Sequence, residues 1–349
     1  MKSKLLLFLS LTATVYVANA QDPAKPADPP LTISGSVDTY YKYDFSGHNN
    51  IPTSFATDQN SVSIGMIDLA LKKKVGKAAF VGELGFGPRG QYQSILPGDG
   101  NPSNLNTTFH VQNLYVAYDV TDKLNLTAGF MGTFIGYEVI APTGNFNYST
   151  SYLFSAGPFQ NAGFKATYAF SDKVSLMAGL FNDNWNYYTT VHDVSTFGAQ
   201  LMVAPVKGWT AYLNVASGET SGTILDLTTA YQITDAFKLG LNAADYTSTH
   251  GDLGYSGAAL YPQLAVSSDV TLGLRGEYFK VKKNGYSLVP SPGTSVTSFT
   301  LTANVKSGPL TFIPEVRLDN MSKDDYFTDS KRLPTKSASQ FVLAAVYAF

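Results

Sequence analysis

The sequence predicts an all-β fold: a transmembrane, antiparallel, up-and-down β-barrel of about 16 strands, with 14 or 18 as the alternatives. Three observations carry this. The chain opens on an export signal, its side chains alternate at period two with no apolar run long enough for a membrane helix, and its connections alternate between tight and long.

The export signal comes first in the chain. Lys2 and Lys4 precede an apolar run from Leu5 to Val17, and a small-residue site, Ala18-Asn19-Ala20, ends it. This pattern is a secretory signal peptide over residues 1–20, with cleavage expected after Ala20. A proline-rich segment, 21–30, follows and is expected in the periplasm, and the barrel is expected over 31–349. The chain has no cysteine, so neither a lipid-modified N-terminal Cys nor a disulfide framework holds the mature protein.

Composition favours a lipid-facing surface. Charged residues are 14% of the chain, against about 25% in soluble domains, while 22 Tyr and 22 Phe lift the aromatic share to 13%. Mean hydropathy is only -0.03. A barrel explains both, because lipid-facing and lumen-facing side chains alternate and cancel in any window. The net charge of -2 comes with no basic stripe, which excludes a nucleic-acid partner.

Strand signals recur along the whole chain. They fall at 31–43, 61–72, 77–86, 110–119, 123–134, 159–170, 173–182, 195–204, 208–217, 222–232, 236–247, 255–266, 269–280, 296–306, 309–318 and 337–349. Most are close to the 9–11 residues or so that a tilted membrane strand needs. Phe164, Ala166, Tyr168 and Phe170, for example, alternate with Gly163, Lys165, Thr167 and Ala169, placing the charge away from lipid. In 61–72 the phase changes near Asp68, which implies a bulge, and Pro262 and Pro314 interrupt their ladders.

Short turns interleave with mostly longer loops, as in bacterial barrels with tight periplasmic turns. An even strand count then puts both termini in the periplasm. Two of the outer connections, 218–221 and 248–254, are short and imply a low rim where subunits of an oligomer, a homotrimer, could pack. In the closing strand Phe341, Leu343, Ala345, Tyr347 and Phe349 form one apolar file ending on the terminal residue, a candidate assembly signal for the barrel-assembly machinery.

The functional candidates are the ionisable residues on interior files: Asp38, Lys42, Asp68, Glu83, Lys165, Lys238, Arg275, Glu277, Glu315 and Arg317. A Lys or Arg at the bilayer midplane costs about 2–4 kcal/mol on the lipid face, so their placement at period two sends them into a hydrated lumen. There they would set ion preference, or serve only as a salt-bridged wall. Aromatics at strand ends, Tyr40, Tyr41, Tyr43, Phe130, Phe134, Tyr168 and Phe170, read as interface girdles, while Tyr212 and Phe279 fall on the lumen file. The four histidines, His48, His110, His192 and His250, read as solvated loop residues without i, i+4 pairing. No metal, cofactor or catalytic motif is expected: G-x-S-x-G, H-E-x-x-H and Walker patterns are absent.

The opening run from Leu31 through Ser-Gly-Ser-Val-Asp-Thr-Tyr-Tyr-Lys-Tyr-Asp to Phe45, the run from Asn147 to Phe159, and terminal Phe349 resemble the β-barrel porin-2 (OmpL-like) family, common in Bacteroidota. The resemblance covers nearly the whole mature chain and implies an outer-membrane porin with no catalytic residues to transfer. In porins the loop after the fifth strand turns into the channel. Here it would span 135–158, with Tyr137, Glu138, Asn145 and Tyr148 at a constriction. The expected function is passive diffusion of small hydrophilic solutes or ions through a water-filled lumen in contact with outer-membrane lipid, since about 16 strands leave an aqueous channel. The alternatives are a soluble secreted β-sandwich or carbohydrate-binding protein, or a barrel acting as an adhesin or enzyme through its loops.

Overall fold

The computed structural model describes residues 28–51, 54–90, 109–182, 193–249, 253–283 and 291–349. The expected signal peptide with Ala20, and also His192 and His250, lie outside them.

Sixteen antiparallel strands close into one barrel. In chain order they are β1 (Thr32–Asp44), β2 (Ser61–Val75), β3 (Ala78–Phe86), β4 (Phe109–Asp119), β5 (Leu124–Gly132), β6 (Gln160–Ser171), β7 (Val174–Phe181) and β8 (Thr196–Val203). They continue as β9 (Trp209–Gly218), β10 (Gly222–Gln232), β11 (Phe237–Thr247), β12 (Gly254–Ala265), β13 (Val270–Val281), β14 (Ser295–Ser307), β15 (Leu310–Met321) and the closing β18 (Ser337–Ala348). Two further strands, β16 (Phe327–Thr328) and β17 (Pro334–Thr335), make a small ribbon between β15 and β18. They are too short to leave a periodic signal in the sequence.

Closure satisfies every edge, as a strand surrounded by lipid requires. The seam pairs Ser36 with Ala348 and Asp44 with Gln340. Beyond it, the Gly35 and Phe349 backbones exchange two hydrogen bonds of 3.0 Å. Only glycine fits at position 35: a Cβ there would lie 2.0 Å from the Asp68 carbonyl oxygen and 2.9 Å from the Phe349 ring.

Period-two alternation places the apolar files outside. Leu114, Val116, Phe164, Leu180 and Phe197 lie on neighbouring strands, each about half exposed, and form part of the apolar belt. Tyr168 and Phe170 stack edge to face on the same surface. Two of the expected girdle aromatics face inward instead. Tyr40 is buried and donates to Asp58 (2.9 Å), and Phe134 packs on Phe181 inside the barrel.

The irregularities have local causes. The β1–β2 register shifts between Val37 and Thr39, so the bulge falls at Gly65–Met66, slightly before Asp68. Asp38 holds it by accepting the Met66 N–H at 2.9 Å, and a Cβ on Gly65 would overlap that carboxylate. Each proline lacks the N–H a ladder needs. The β12–β13 pairing skips Tyr261 and Pro262, and the β14–β15 pairing skips Pro314.

Candidate functional site

The interior is organised by the segment 133–159 between β5 and β6, which lies inside the barrel and contains a 3-10 turn (Pro142–Gly144) and a short helix, α1 (Tyr152–Ala156). It enters the lumen because the wall offers hydrogen-bond partners for its backbone. Glu315 on β15 accepts from Tyr148 N (2.9 Å), from Ser149 N (3.1 Å) and from the Ser149 hydroxyl. Its second oxygen also accepts from Thr302 Oγ1 (2.9 Å), which in turn accepts from Asn147 Nδ2 (2.7 Å). Glu277 on β13 accepts the first amides of α1, Tyr152 N (3.0 Å) and Leu153 N (2.8 Å), donors that a helix cannot satisfy internally. Ser151 caps the same turn by accepting from Phe154 N at 3.0 Å.

Two arginines complete the clamp. Arg275 donates to Glu138 Oε1 (2.8 Å), to the Ser149 carbonyl (2.7 Å), to the Thr150 carbonyl (3.3 Å) and to Thr300 Oγ1 (3.2 Å). Arg317 donates to the Thr150 carbonyl (2.7 Å) and to Asp319 (2.9 Å), with its guanidinium 5.0 Å from the Tyr152 ring. Both arginine side chains are fully buried, so each charge depends on these partners. The planar five-donor guanidinium suits this task better than an ammonium.

Phenols extend the network. Tyr148 donates to Asp38 at 2.5 Å, and Tyr152 donates to Asp319 at 2.6 Å. Burial, and then the adjacent Asp38 carboxylate, push the Tyr148 phenol well above its ordinary value. Burial, and then Asp319, do the same for Tyr152, so both stay protonated and act as donors.

Three aromatic rings of the segment sit on interior glycines. Phe134 lies over Gly198, Tyr137 over Gly240 and Phe146 over Gly273, where a Cβ would come within 2.6 Å of the Phe134 ring, 2.3 Å of the Tyr137 hydroxyl and 2.1 Å of the Phe146 ring. The missing side chains make the room the rings occupy. Replacing Gly273 by valine is therefore expected to drive Phe146 off the wall at a cost of about 1–3 kcal/mol. Chymotrypsin cleavage within 133–159 in the folded barrel would report it; protection equal to the parent would contradict it.

All ten ionisable residues singled out from the sequence lie on interior files. Their surroundings differ from the hydrated lumen expected for them. Asp38, Lys42, Arg275, Glu277, Glu315 and Arg317 are sealed from water because chain segments lie over them, and Asp68 is buried as well. Lys42 donates to Asn49 (2.5 Å) and the Ile51 carbonyl (3.5 Å), tethering the connection between β1 and β2. Glu83, Lys165 and Lys238 remain partly exposed.

Of the loop residues, Glu138 pairs with Arg275, Tyr148 with Asp38, and Tyr137 stacks on Tyr261 with centroids 4.5 Å apart. Asn145 instead hydrogen-bonds Val139 N (2.8 Å) and O (2.6 Å), folding the segment on itself. His110 is fully buried on β4, not a solvated loop residue, because its position falls on the interior file.

Sequence reasoning missed Asp226, Asp319 and the three glycines. Asp226 accepts from Gly136 N (3.0 Å), Asn214 Nδ2 (2.7 Å) and Asn242 Nδ2 (2.6 Å). An isolated acid in the alternating run Ile224 to Thr228 was the signal for it, and Asp319 simply extends the file of Glu315 and Arg317. On the side away from the clamp, a cavity of about 470 Å³ remains between the segment and the wall. Lys165, Gln200, Thr210, Tyr212 and Thr228 line it, with Tyr137.

A closed sixteen-stranded antiparallel barrel, apolar outside and polar within, is an outer-membrane channel architecture. The chain belongs to the family described as Putative beta-barrel porin-2, OmpL-like, whose profile matches residues 30–349. No curated protein matches the sequence. The fold is similar to the outer membrane channel DcaP of Acinetobacter baumannii (11% identity, 93% of this chain and 99% of that chain, TM-score 0.60). It is also similar to an anion-selective porin from Comamonas acidovorans (14% identity, 92% and 99%, TM-score 0.62). A third similar structure is the trimer form of OmpT from Vibrio cholerae (13% identity, 92% and 99%, TM-score 0.56). The protein is an outer-membrane porin with a sixteen-stranded barrel.

Proposed function

We propose that the channel gives passive diffusion to small hydrophilic solutes and ions, and that segment 133–159 is its constriction. The observation that carries this is the clamp itself: carboxylates and arginines on one side of the lumen bind the segment, and a polar cavity stays open on the other. In this reading Asp38, Arg275, Glu277, Glu315 and Arg317 hold the constriction in place, and Lys165 and Lys238, with Glu83, face the solute. The interior acids bind the chain's own amides and hydroxyls, which supports a structural part for them and no catalytic one.

Both chain ends of the barrel lie on the side of the short turns, which supports a periplasmic location for them. The same reading has residues 1–20 removed after Ala20 and residues 21–30 left in the periplasm. Phe349, exposed at the seam, would act as the assembly signal read by the barrel-assembly machinery. A homotrimer in outer-membrane lipid is proposed on the trimer form of the similar OmpT. The short connections after β9 and β11 favour packing along that low rim.

Purified, folded protein in planar bilayers is expected to give discrete conductance steps. A heat-modifiable, detergent-stable barrel that never conducts would overturn the proposal. Crosslinking in detergent tests the trimer; a barrel that runs only as a monomer would contradict it.

A further inference from the structure

The open side of the lumen is electrically lopsided. At the level of the constriction the acids are engaged: Glu315, Glu277, Asp226, Asp38 and Asp319 accept from amides or hydroxyls, and Glu138 pairs with Arg275. Lys165 is different. Among the described residues it has neither an ion pair nor a hydrogen bond, and it lines the cavity of about 470 Å³ beside Gln200, Thr210, Tyr212 and Thr228.

Toward the short-turn end, the cross-strand register adds Lys72, Lys74, Lys238 and Lys306 to the interior files. The acids on those files are Asp68, Glu83 and Asp119. These three carboxylates offset part of that charge and leave the lysines, with Lys165, in excess. Asp119 pairs with Lys74 at 2.5 Å and accepts from Asn125 (2.8 Å), Glu83 accepts from Asn113 (2.5 Å), and Asp68 is buried. A narrow polar passage with low-dielectric walls focuses such an excess of one sign on whatever enters it.

We propose that this passage selects anions, and that Lys165 is the charged centre of a subsite for a small solute bearing a carboxylate or phosphate. The ammonium would pair with the oxyanion, while the Tyr212 and Thr228 hydroxyls would meet the solute's polar groups; the Gln200 amide is already spent on the Phe134 carbonyl (3.1 Å) and Asn214 (2.9 Å). A point charge on a flexible stem suits a transient partner, because binding that is too tight would stop transport. The inference rests on the diffusion reading above.

The test is the zero-current potential of the full-length folded barrel in a KCl gradient. Unaltered protein is expected to favour chloride, Lys165→Gln to lower the anion-to-cation permeability ratio by about threefold, and Lys165→Glu to bring it below unity. Lys173→Gln, a change in the β6–β7 turn away from the cavity, is expected to leave the ratio unchanged. Should the Lys165 variants fail to fold, inorganic phosphate added to the unaltered channel decides: millimolar phosphate is expected to reduce the chloride current. Cation preference in the unaltered channel, a ratio unmoved by Lys165→Gln and Lys165→Glu, or no effect of phosphate would overturn the subsite with the channel intact. Absence of any conductance would instead overturn the diffusion reading on which it rests.

Discussion

Replacing Arg275 by methionine is expected to unseat segment 133–159, the proposed constriction. The substitution removes the guanidinium that serves Glu138, two carbonyls and Thr300, and leaves the Glu138 carboxylate buried without its charge partner. Breaking a buried pair from one side costs about 3–5 kcal/mol, because the remaining charge is not solvated. The sheet ladders do not depend on Arg275's side chain, so the cost falls on the seating of segment 133–159 while the barrel stays closed. The expected result is a folded, heat-modifiable barrel with rapid chymotrypsin cleavage in the segment and noisier, larger conductance steps. Adding Glu138→Gln should recover much of the loss, since it removes the stranded charge. A double variant as labile as Arg275→Met alone would show that the ion pair is not the linkage.

Glu315→Gln tests the second anchor and should weaken it by about 2–3 kcal/mol. The carboxylate accepts from Tyr148 N, Ser149 N, the Ser149 hydroxyl and Thr302. Glutamine keeps the volume but turns one acceptor into a donor, facing an N–H or O–H with an NH₂. Hydrogen bonds to a charged group contribute about 1.5–3 kcal/mol, and a buried donor left without a partner adds its desolvation cost. Residues 147–149 should loosen first, read as faster amide exchange at Tyr148 and Ser149 than at Tyr152 and Leu153, which Glu277 holds. Equal exchange at both sites in the variant would mean that the segment moves as one body and that the anchors are not separable.

Much of the barrel was legible in the sequence because a lipid-spanning sheet admits few solutions. Alternation fixes which side chains meet lipid, closure removes edges, and turn length separates the two ends. Thus alternation alone assigns Phe164 and Lys165 to opposite faces. What alternation could not reveal was what lies against the interior face. Arg275, Glu277, Glu315 and Arg317 stand on the interior files at period two, yet they meet a loop and not water, because the partners that bury them are backbone groups of residues 148–153. Backbone amides and carbonyls carry no sequence signature. The same holds for Gly198, Gly240 and Gly273, whose role appears only once Phe134, Tyr137 and Phe146 are seen above them. Tyr40 and Phe134 were misassigned to the outer girdle for a related reason. An aromatic near a strand end satisfies the composition of either face, and only its register or its neighbour decides.

In the proposed function segment 133–159 narrows an otherwise open lumen, and single-channel conductance before and after excision of residues 137–156 measures that directly. Replacing them by a short Gly/Ser linker, in a barrel whose folding is verified by heat-modifiable mobility, should raise the conductance severalfold, by about the cross-section the segment now fills. An excised channel that conducts no better than the parent would show that the segment is not the constriction.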